Sequence, residues 1–240
     1  MRRKHLLLTL GIVTLVVVLA VAALVFLVRH EPAFYRALAV EPGATRKKAS
    51  SEFQRRTFDL MNGITNHDPA WGATFTQEQI NCYFQEDFVR SGGLEELREQ
   101  GFHDPRVSIE PDRVRLAFRY GSGFWQTVVS VDVKLWLTAE EPNVVAMELR
   151  GLYAGSLPLP AQSLLDYITE AAHQMNIDVK WYRHNGHPVA LMRFQADQVR
   201  PTVQLQRLQV QPGRIVLAGR SLVSPGPGAG AGALAASLDP

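Results

Sequence analysis

The chain has 240 residues, of which 46% are hydrophobic and 20% are charged, a composition that predicts a globular domain together with one apolar segment. The net charge of +2 comes from basic residues near the N-terminus, whereas residues 57–240 carry more acidic than basic side chains. This layout argues against nucleic acid as a partner, because nucleic-acid-binding domains carry a basic patch or stripe. Cys82 is the only cysteine, which excludes an intramolecular disulfide.

The first element is an uncharged apolar run of 23 residues from Leu6 to Val28. At about 1.5 Å per residue, a helix of this length spans roughly 34 Å, enough for a bilayer core of about 30 Å. Residues 1–5, MRRKH, form the more basic flank, which predicts a single-pass anchor in the cell membrane with a cytoplasmic N-terminus and an extracytoplasmic body. A cleaved signal peptide is the alternative, although its apolar region is usually only about 7–15 residues long.

Residues 29–49 contain two prolines, a glycine and scattered charges, which predicts a stalk. The basic cluster Arg46, Lys47 and Lys48 within it is expected either to contact anionic lipid headgroups at the membrane surface or to be a solvated part of the linker. The extracytoplasmic domain is predicted over residues 50–222. Its first helix is expected to begin at Ser50 or Ser51 and to end near residue 63.

The second predicted helix has a well-marked start. Thr76 and Gln79 have the spacing of a capping box, in which each side chain accepts a hydrogen bond from the other residue's backbone. Ile80, Phe84 and Phe88 follow at every fourth position and predict one apolar face. The two glycines at residues 92–93 are expected to end the helix.

Apolar and polar residues alternate with period two over residues 114–120, 128–137 and 145–153. Such alternation predicts strands with one buried face, and the short turns between them predict an antiparallel meander. Strands of this length usually twist and curve strongly. The predicted fold class is therefore α+β, with a long curved antiparallel meander packed with two to three helices and preceded by one transmembrane helix.

The sequence L-P-L-P at residues 157–160 marks the end of this meander. Pro158 and Pro160 lack backbone N–H groups and are expected to end the strand, and Pro160 also suits the first turn of a helix. The following residues predict that helix, laid back on the sheet. Leu157 and Leu159 are expected to pack under the corner.

Two hairpins and a tail complete the chain. Asn185–Gly186 is a strong signal for a two-residue hairpin, and the Q-P-G sequence at residues 211–213 predicts a second one. Residues 223–240 are rich in Pro, Gly and Ala and are expected to be disordered.

The motifs of common enzyme classes are missing from the sequence. His184 and His187 could supply only part of a zinc site, because a third and usually a fourth ligand would have to come from elsewhere. A nucleophilic cysteine needs a base or a cationic setting, so Cys82 is interpreted as a small packed residue. Arg113, Arg115 and Arg119 are interpreted as a solvated face. The prediction is a non-enzyme without a cofactor or a metal.

Aromatic residues are numerous in the predicted domain, and they fit either ordinary core packing or an apolar groove between a curved sheet and its helices. The leading hypothesis is a non-catalytic domain that binds a lipid or another apolar envelope molecule. The alternative is a structural or adaptor protein of the cell envelope that acts through protein–protein contacts. The groove candidates are Phe84, Phe88, Phe118, Trp136, Leu157 and Leu159.

Three segments carry a resemblance to a known family. They are the apolar run at 6–28, TQEQIN at 76–81 and AGSLPLP at 154–160. In their order along the chain, these segments resemble the YpmS-like family of bacterial single-pass membrane-anchored proteins. The resemblance implies location and architecture, and it carries no catalytic residue to this chain.

Overall fold

The structure is a computed structural model that describes residues 2–88, 95–174, 177–194 and 201–222. It combines a long apolar N-terminal helix, a large antiparallel sheet, a smaller three-stranded sheet and a few shorter helices. The predicted α+β class is confirmed. The predicted tail at residues 223–240 lies outside the described residues.

Helix α1 spans Arg2–Arg29 and contains the whole of the predicted anchor. It is long and apolar enough to cross a membrane. Its large apolar side chains from Leu10 to Leu27 are exposed apart from the half-buried Val25, with Phe26 at 70%. Exposure of this extent on an apolar helix is compatible with a surface that lipid covers.

The segment predicted as a stalk, residues 29–49, is not a free linker. It contains helix α2 (Ala33–Ala37), in which Tyr35 is fully buried. Helix α3 spans Ala44–Thr65, so it begins before the predicted Ser50 or Ser51. The early start has a physical reason, because Arg46 in the first turn of α3 pairs with the buried carboxylate of Glu86.

Helix α4 (Gln77–Tyr83) begins as predicted. The backbone N–H of Gln79 donates to the Thr76 hydroxyl at 3.2 Å, and the backbone N–H of Thr76 donates to the Gln79 side chain at 3.1 Å. The capping box is thus confirmed. A π-helical turn, Phe84–Phe88, continues α4, and α5 covers Glu95–Glu99. The glycines expected to end this helix lie outside the described residues.

Seven strands form the large sheet: β2 (Phe102–Glu110), β3 (Arg113–Tyr120), β4 (Thr127–Leu137), β5 (Val144–Ala154), β6 (Leu157–Pro158), β7 (Asp178–His184) and β8 (His187–Arg193). Their order is β2-β3-β4-β5-β8-β7, with the short β6 paired to β5. The three predicted meander strands are confirmed. The edge strand β2 was not predicted, because Pro105 and a register shift next to it interrupt the alternation. Proline is tolerated at an edge and at a bulge, where its missing N–H breaks no ladder.

The smaller sheet has the order β1-β10-β9, with β1 at Trp71–Thr76, β9 at Val203–Gln211 and β10 at Arg214–Ser221. Both predicted hairpins are confirmed, as β7–β8 and β9–β10. Strand β1 was not predicted, because its partner β10 lies near the other end of the chain.

The main apolar core lies between the two sheets and α4. Its buried centre consists of Val107, Ile109 and Val114. Phe84 of the π-helical turn and Ile215 of β10 pack against these residues. The sheets are also joined by Asn143, whose side chain donates to the carbonyl of Val203 and accepts from the N–H of Leu205, both at 2.7 Å.

The L-P-L-P corner folds back on its own strand. After Ala154, residues 155–156 form a turn, and Leu157–Pro158 then pair antiparallel with Tyr153–Ala154. Helix α6 (Gln162–Gln174) follows and packs on the edge strand β7, where the indole N–H of Trp181 donates to the Thr169 hydroxyl at 2.8 Å. The prediction that this helix lies back on the sheet is confirmed.

Candidate functional site

The C-terminal end of α1 is seated on the large sheet. The backbone N–H of Ser156 donates to the carbonyl of Leu27 at 2.9 Å, and the Thr127 hydroxyl donates to the carbonyl of Val28. Carbonyls in the last turn of a helix have no partner within the helix, so these donors satisfy groups that would otherwise be unpaired. We call Leu27, Val28, Thr127, Gly155 and Ser156 the anchor junction.

A second contact is made by Tyr35 of α2, which lies on the face of the sheet next to Ala117 and Val128. Its hydroxyl donates to the backbone carbonyl of Asp104 at 2.6 Å, and its own carbonyl accepts from Arg106 at 2.6 Å. Burial, together with the nearby Asp104 carboxylate, raises the pKa of Tyr35 above its usual range. Tyr35 is therefore held as a neutral hydrogen-bond donor.

Charged side chains surround this tyrosine. The guanidinium groups of Arg106 and Arg119 lie 4.2 and 5.3 Å from the centre of its ring. The Asp104 carboxylate pairs with Arg106 at 2.8 Å and with Arg119 at 3.2 Å. Burial of Asp104 opposes its ionisation, but the charge of Arg106 and hydrogen bonds outweigh that effect and lower its pKa. Arg119 also pairs with Glu31 at 2.8 Å, which fixes the chain just after α1.

The arginines predicted as a solvated face are engaged within the protein. Arg113 pairs with the buried Asp132, and Arg115 pairs with Glu110. The hydrogen bond from Arg115 lowers the pKa of the Glu110 carboxyl. The ring of Phe34, on α2, covers the Arg115 guanidinium at 4.3 Å. The expectation of a solvated face is wrong for Arg115 and Arg119, which α2 and neighbouring carboxylates cover, whereas the paired Arg113 side chain is still 37% exposed.

The opposite face of the same strands carries a row of incompletely covered apolar side chains. The strand register places Leu116 beside Val131 and Val131 beside Leu152, and it places Phe118 beside Val129. All five are hydrophobic and all five are only partly buried. Val129 lies two positions along β4 from Thr127, so the row begins at the anchor junction. We call these five residues the apolar strip.

The structure separates the six residues predicted to line one groove. Phe84 belongs to the main core, and Phe88 packs against it with ring centres 5.5 Å apart. Phe118 belongs to the apolar strip, whereas Trp136 projects from the other face of the sheet, where Lys134 lies 5.9 Å from its ring. Trp136 and Phe118 therefore do not line one groove, and a groove formed by the other candidates stays a prediction. Leu157 and Leu159 are partly buried at the corner, as expected.

The three predicted membrane-surface residues have different surroundings in the structure. Arg46 pairs with Glu86 at 2.6 Å, and their side chains are only 15% and 3% exposed. Arg46 is thus a structural residue, and its assignment to the membrane surface is wrong because its charge already has a buried partner. Lys47 and Lys48 are exposed on α3, and contact with lipid headgroups stays a prediction for them.

Two surface cavities lie away from the apolar strip. One, of about 490 Å³, is lined by residues 137–143 and 204–206. The other, of about 320 Å³, is lined by residues 40–43, 45 and 46 with Glu78 and Cys82. Cys82 is buried, and burial together with the nearby Glu78 raises its thiol pKa. In the part of the chain that the structure describes, no group of three or more His, Cys, Asp or Glu residues is placed to hold a metal ion.

Sequence reasoning missed the anchor junction and the Tyr35 contact. One signal was present, since Phe34 and Tyr35 are adjacent aromatic residues inside a segment interpreted as a stalk. Aromatic residues bury large areas and are unusual in a solvated linker. Nothing in the local sequence indicates that Gly155 meets the end of α1.

These features define the class of the protein as an α+β domain that directly follows a helix able to span a membrane. Comparisons of the chain with protein-family models, with curated proteins and with solved structures gave no match. The resemblance to the YpmS-like family therefore stays a prediction.

Proposed function

We propose that the protein is a membrane-anchored, non-enzymatic domain that lies outside the cytoplasm and binds the acyl chain of a lipid, or a comparable apolar molecule, on the apolar strip. The strip itself is the observation that carries this proposal. The five side chains of the strip are hydrophobic yet only partly buried. The strip begins next to the anchor junction, at Val129. A bound acyl chain would remove this surface from water, at about 25 cal/mol per Å² of apolar area.

The position of the strip suits a lipid that enters from the bilayer. The sheet holds the end of α1 through Thr127 and Ser156, so the strip starts next to the point where the anchor ends. A lipid could then move an acyl chain onto the strip while its headgroup stays at the membrane surface. The basic flank of α1 at residues 2–4 favours a cytoplasmic N-terminus, which puts the sheet on the outer side.

Photochemical labelling of the full-length chain in liposomes tests this proposal. The liposomes contain a phospholipid with a diazirine at the end of one acyl chain, and labelled peptides are identified by mass spectrometry after irradiation and digestion. We expect labelled peptides from β3, β4 and β5 in addition to those from α1. Labels confined to α1 would contradict lipid binding, because an acyl-chain terminus reaches the sheet only by leaving the bilayer core.

A matched pair of substitutions on one strand sharpens the test. Val131→Gln places an amide in the strip and is expected to reduce labelling of β3 to β5 at least fivefold, because an unpaired polar group is costly next to an acyl chain. Lys134→Gln lies on the same strand but on the opposite face, and it should leave the labelling unchanged. Equal losses in both variants would indicate a general disturbance of the sheet.

One observation favours the alternative, an adaptor function. Phe58 and Met61 on the outer side of α3 are 65% and 54% exposed, which is unusual for large apolar side chains three residues apart. An adaptor would use this surface for a protein partner. A photo-crosslinking residue at position 58, tested in native membranes, is expected to give one adduct of defined mass, whereas the same residue at position 48 of this helix should give none.

A further inference from the structure

Two large aromatic side chains project from a single short turn of the large sheet. Phe124 is 59% exposed and Trp125 is 76% exposed, and both belong to the 3-10 turn Gly123–Trp125 between β3 and β4. Their rings pack edge to face, with centres 5.3 Å apart and planes at 90°. We call this segment the aromatic turn. In water such exposure leaves a large apolar area unburied, so the turn needs a partner that covers it.

The aromatic turn lies beside the end of the membrane helix. The guanidinium group of Arg29, the last residue of α1, lies 4.0 Å from the centre of the Phe124 ring. Thr127, two residues after Trp125, donates a hydrogen bond to the carbonyl of Val28. The hydrogen bonds of the anchor junction and the ring contact of Arg29 thus fix the turn next to the last residues of α1.

This position corresponds to the headgroup region if α1 spans a bilayer. An arginine at the end of a spanning helix extends its charged group to the lipid phosphates, which places the stacked Phe124 ring at a similar depth. Tryptophan is enriched at this depth because its ring is amphipathic, with an apolar body and one N–H donor. The exposed aromatic surface is therefore continuous with the lipid-facing surface of α1.

We infer that the aromatic turn is a second membrane contact, in which Phe124 and Trp125 insert into the headgroup region of the bilayer that α1 spans. The inference rests on the proposed anchoring of α1. With two attachment points the domain does not rotate freely about its anchor. The start of the apolar strip, at Phe118 and Val129, then keeps a fixed position relative to the membrane surface.

Fluorescence quenching of the full-length chain in liposomes tests this contact. The liposomes consist of phosphatidylcholine, one part of which carries bromine atoms on the acyl carbons near the headgroup. Brominated lipid is expected to quench part of the tryptophan emission of the wild-type chain. Trp125→Phe should lower this quenching at least twofold. Because the Trp125 side chain is largely exposed, this substitution disturbs little packing.

Trp136→Phe is the matched control, because Trp136 lies on a strand of the sheet and is partly buried. This variant should retain the quenching of the wild-type chain. Flotation of each variant in a sucrose gradient separates the two proposals. Chains that float with the liposomes but show the same quenching after Trp125→Phe would overturn the aromatic contact alone. A wild-type chain that does not float would overturn both the anchoring of α1 and this contact.

Discussion

Gly155 lies directly against the end of α1, so that a Cβ atom on it would stand 2.3 Å from the carbonyl oxygen of Val28 and 2.4 Å from that of Leu27. Both atoms belong to backbone, which has little room to move. Gly155 also has a φ of +60°, in the left-handed region that favours glycine. The close approach lets the neighbouring N–H of Ser156 reach the Leu27 carbonyl. Helix α1 and the sheet are thereby joined without a flexible linker.

Gly155→Ala is expected to separate the end of α1 from the sheet while the sheet itself stays folded. The added methyl group cannot fit beside the Val28 carbonyl, so the Ser156 hydrogen bond should be lost. Hydrogen exchange of the full-length chain in lipid nanodiscs measures this change, and the Ser156 amide should exchange at least tenfold faster. Gly213→Ala is the control, since Gly213 also has a positive φ, of +71°, but has open space around it. Normal Ser156 protection in Gly155→Ala would contradict the close contact.

Tyr35→Phe is expected to lower the free energy of unfolding by about 1 kcal/mol, because it leaves the partly buried carbonyl of Asp104 without its donor. Tyr35→Ala should cost about 3–5 kcal/mol, as is usual for removal of a buried aromatic ring. Denaturant titration in detergent micelles measures both changes. Tyr167→Phe is the control, and because Tyr167 is 52% exposed its effect should stay near zero. A cost for Tyr35→Ala as small as for Tyr167→Phe would argue that α2 is not docked.

Asp104→Asn is expected to change how stability depends on pH. The pKa of Asp104 is lower in the folded protein than in the unfolded chain, where it is about 3.9. Its stabilising contribution is therefore present above that unfolded value and is lost as the pH falls through the folded value. The variant should be less stable than wild type at pH 7, and this difference should shrink as the pH falls below about 4.

Asn is the suitable replacement at residue 104, because the backbone there has a φ of +53° and Asn tolerates this conformation. Asp112→Asn provides a matched control, since Asp112 has a φ of +55° but is an exposed turn residue. Denaturant titrations at several pH values between 2 and 7 compare the three chains. A stability difference for Asp104→Asn that is the same at pH 7 and pH 2 would show that the carboxylate charge is not what stabilises this site.

Arg46→Gln is expected to lower the free energy of unfolding by about 3 kcal/mol, because it removes the cation that pairs with the buried Glu86 carboxylate. Lys48→Gln, on the exposed side of the same helix, should change it by less than about 0.5 kcal/mol. Thermal and denaturant unfolding of the two variants in micelles give the comparison. Similarly small effects for both variants would argue against a stabilising Arg46–Glu86 pair. They would support the prediction from the sequence that Arg46 lies at the membrane surface.

The secondary structure was predictable where a local pattern and its tertiary setting agree. The alternation in β3, β4 and β5, the capping box of Thr76 and Gln79, and the hairpin at Asn185–Gly186 each depend on neighbouring residues alone. The prediction failed where pairing is distant. Strand β1 exists because it pairs with β10, and the bulge at Pro105 hides the alternation of β2.

The candidate site was predictable only in part. Phe118 was predicted to line an apolar groove, and it belongs to the apolar strip. Phe84 and Trp136 were grouped with it because all are apolar and aromatic, but composition does not say which side of a sheet or which layer a ring occupies. Phe84 packs into the core between the sheets, and Trp136 lies on the other face.

The sequence by itself determined that an apolar helix precedes an α+β domain, because hydrophobic length and period are local properties that the chain carries in any conformation. Only the tertiary structure decided that Tyr35 is buried, that Arg46 pairs with Glu86, and that Gly155 meets the end of α1. Each of these contacts joins residues far apart in the chain. Their partners are therefore set by the packing of whole elements, which no short segment encodes.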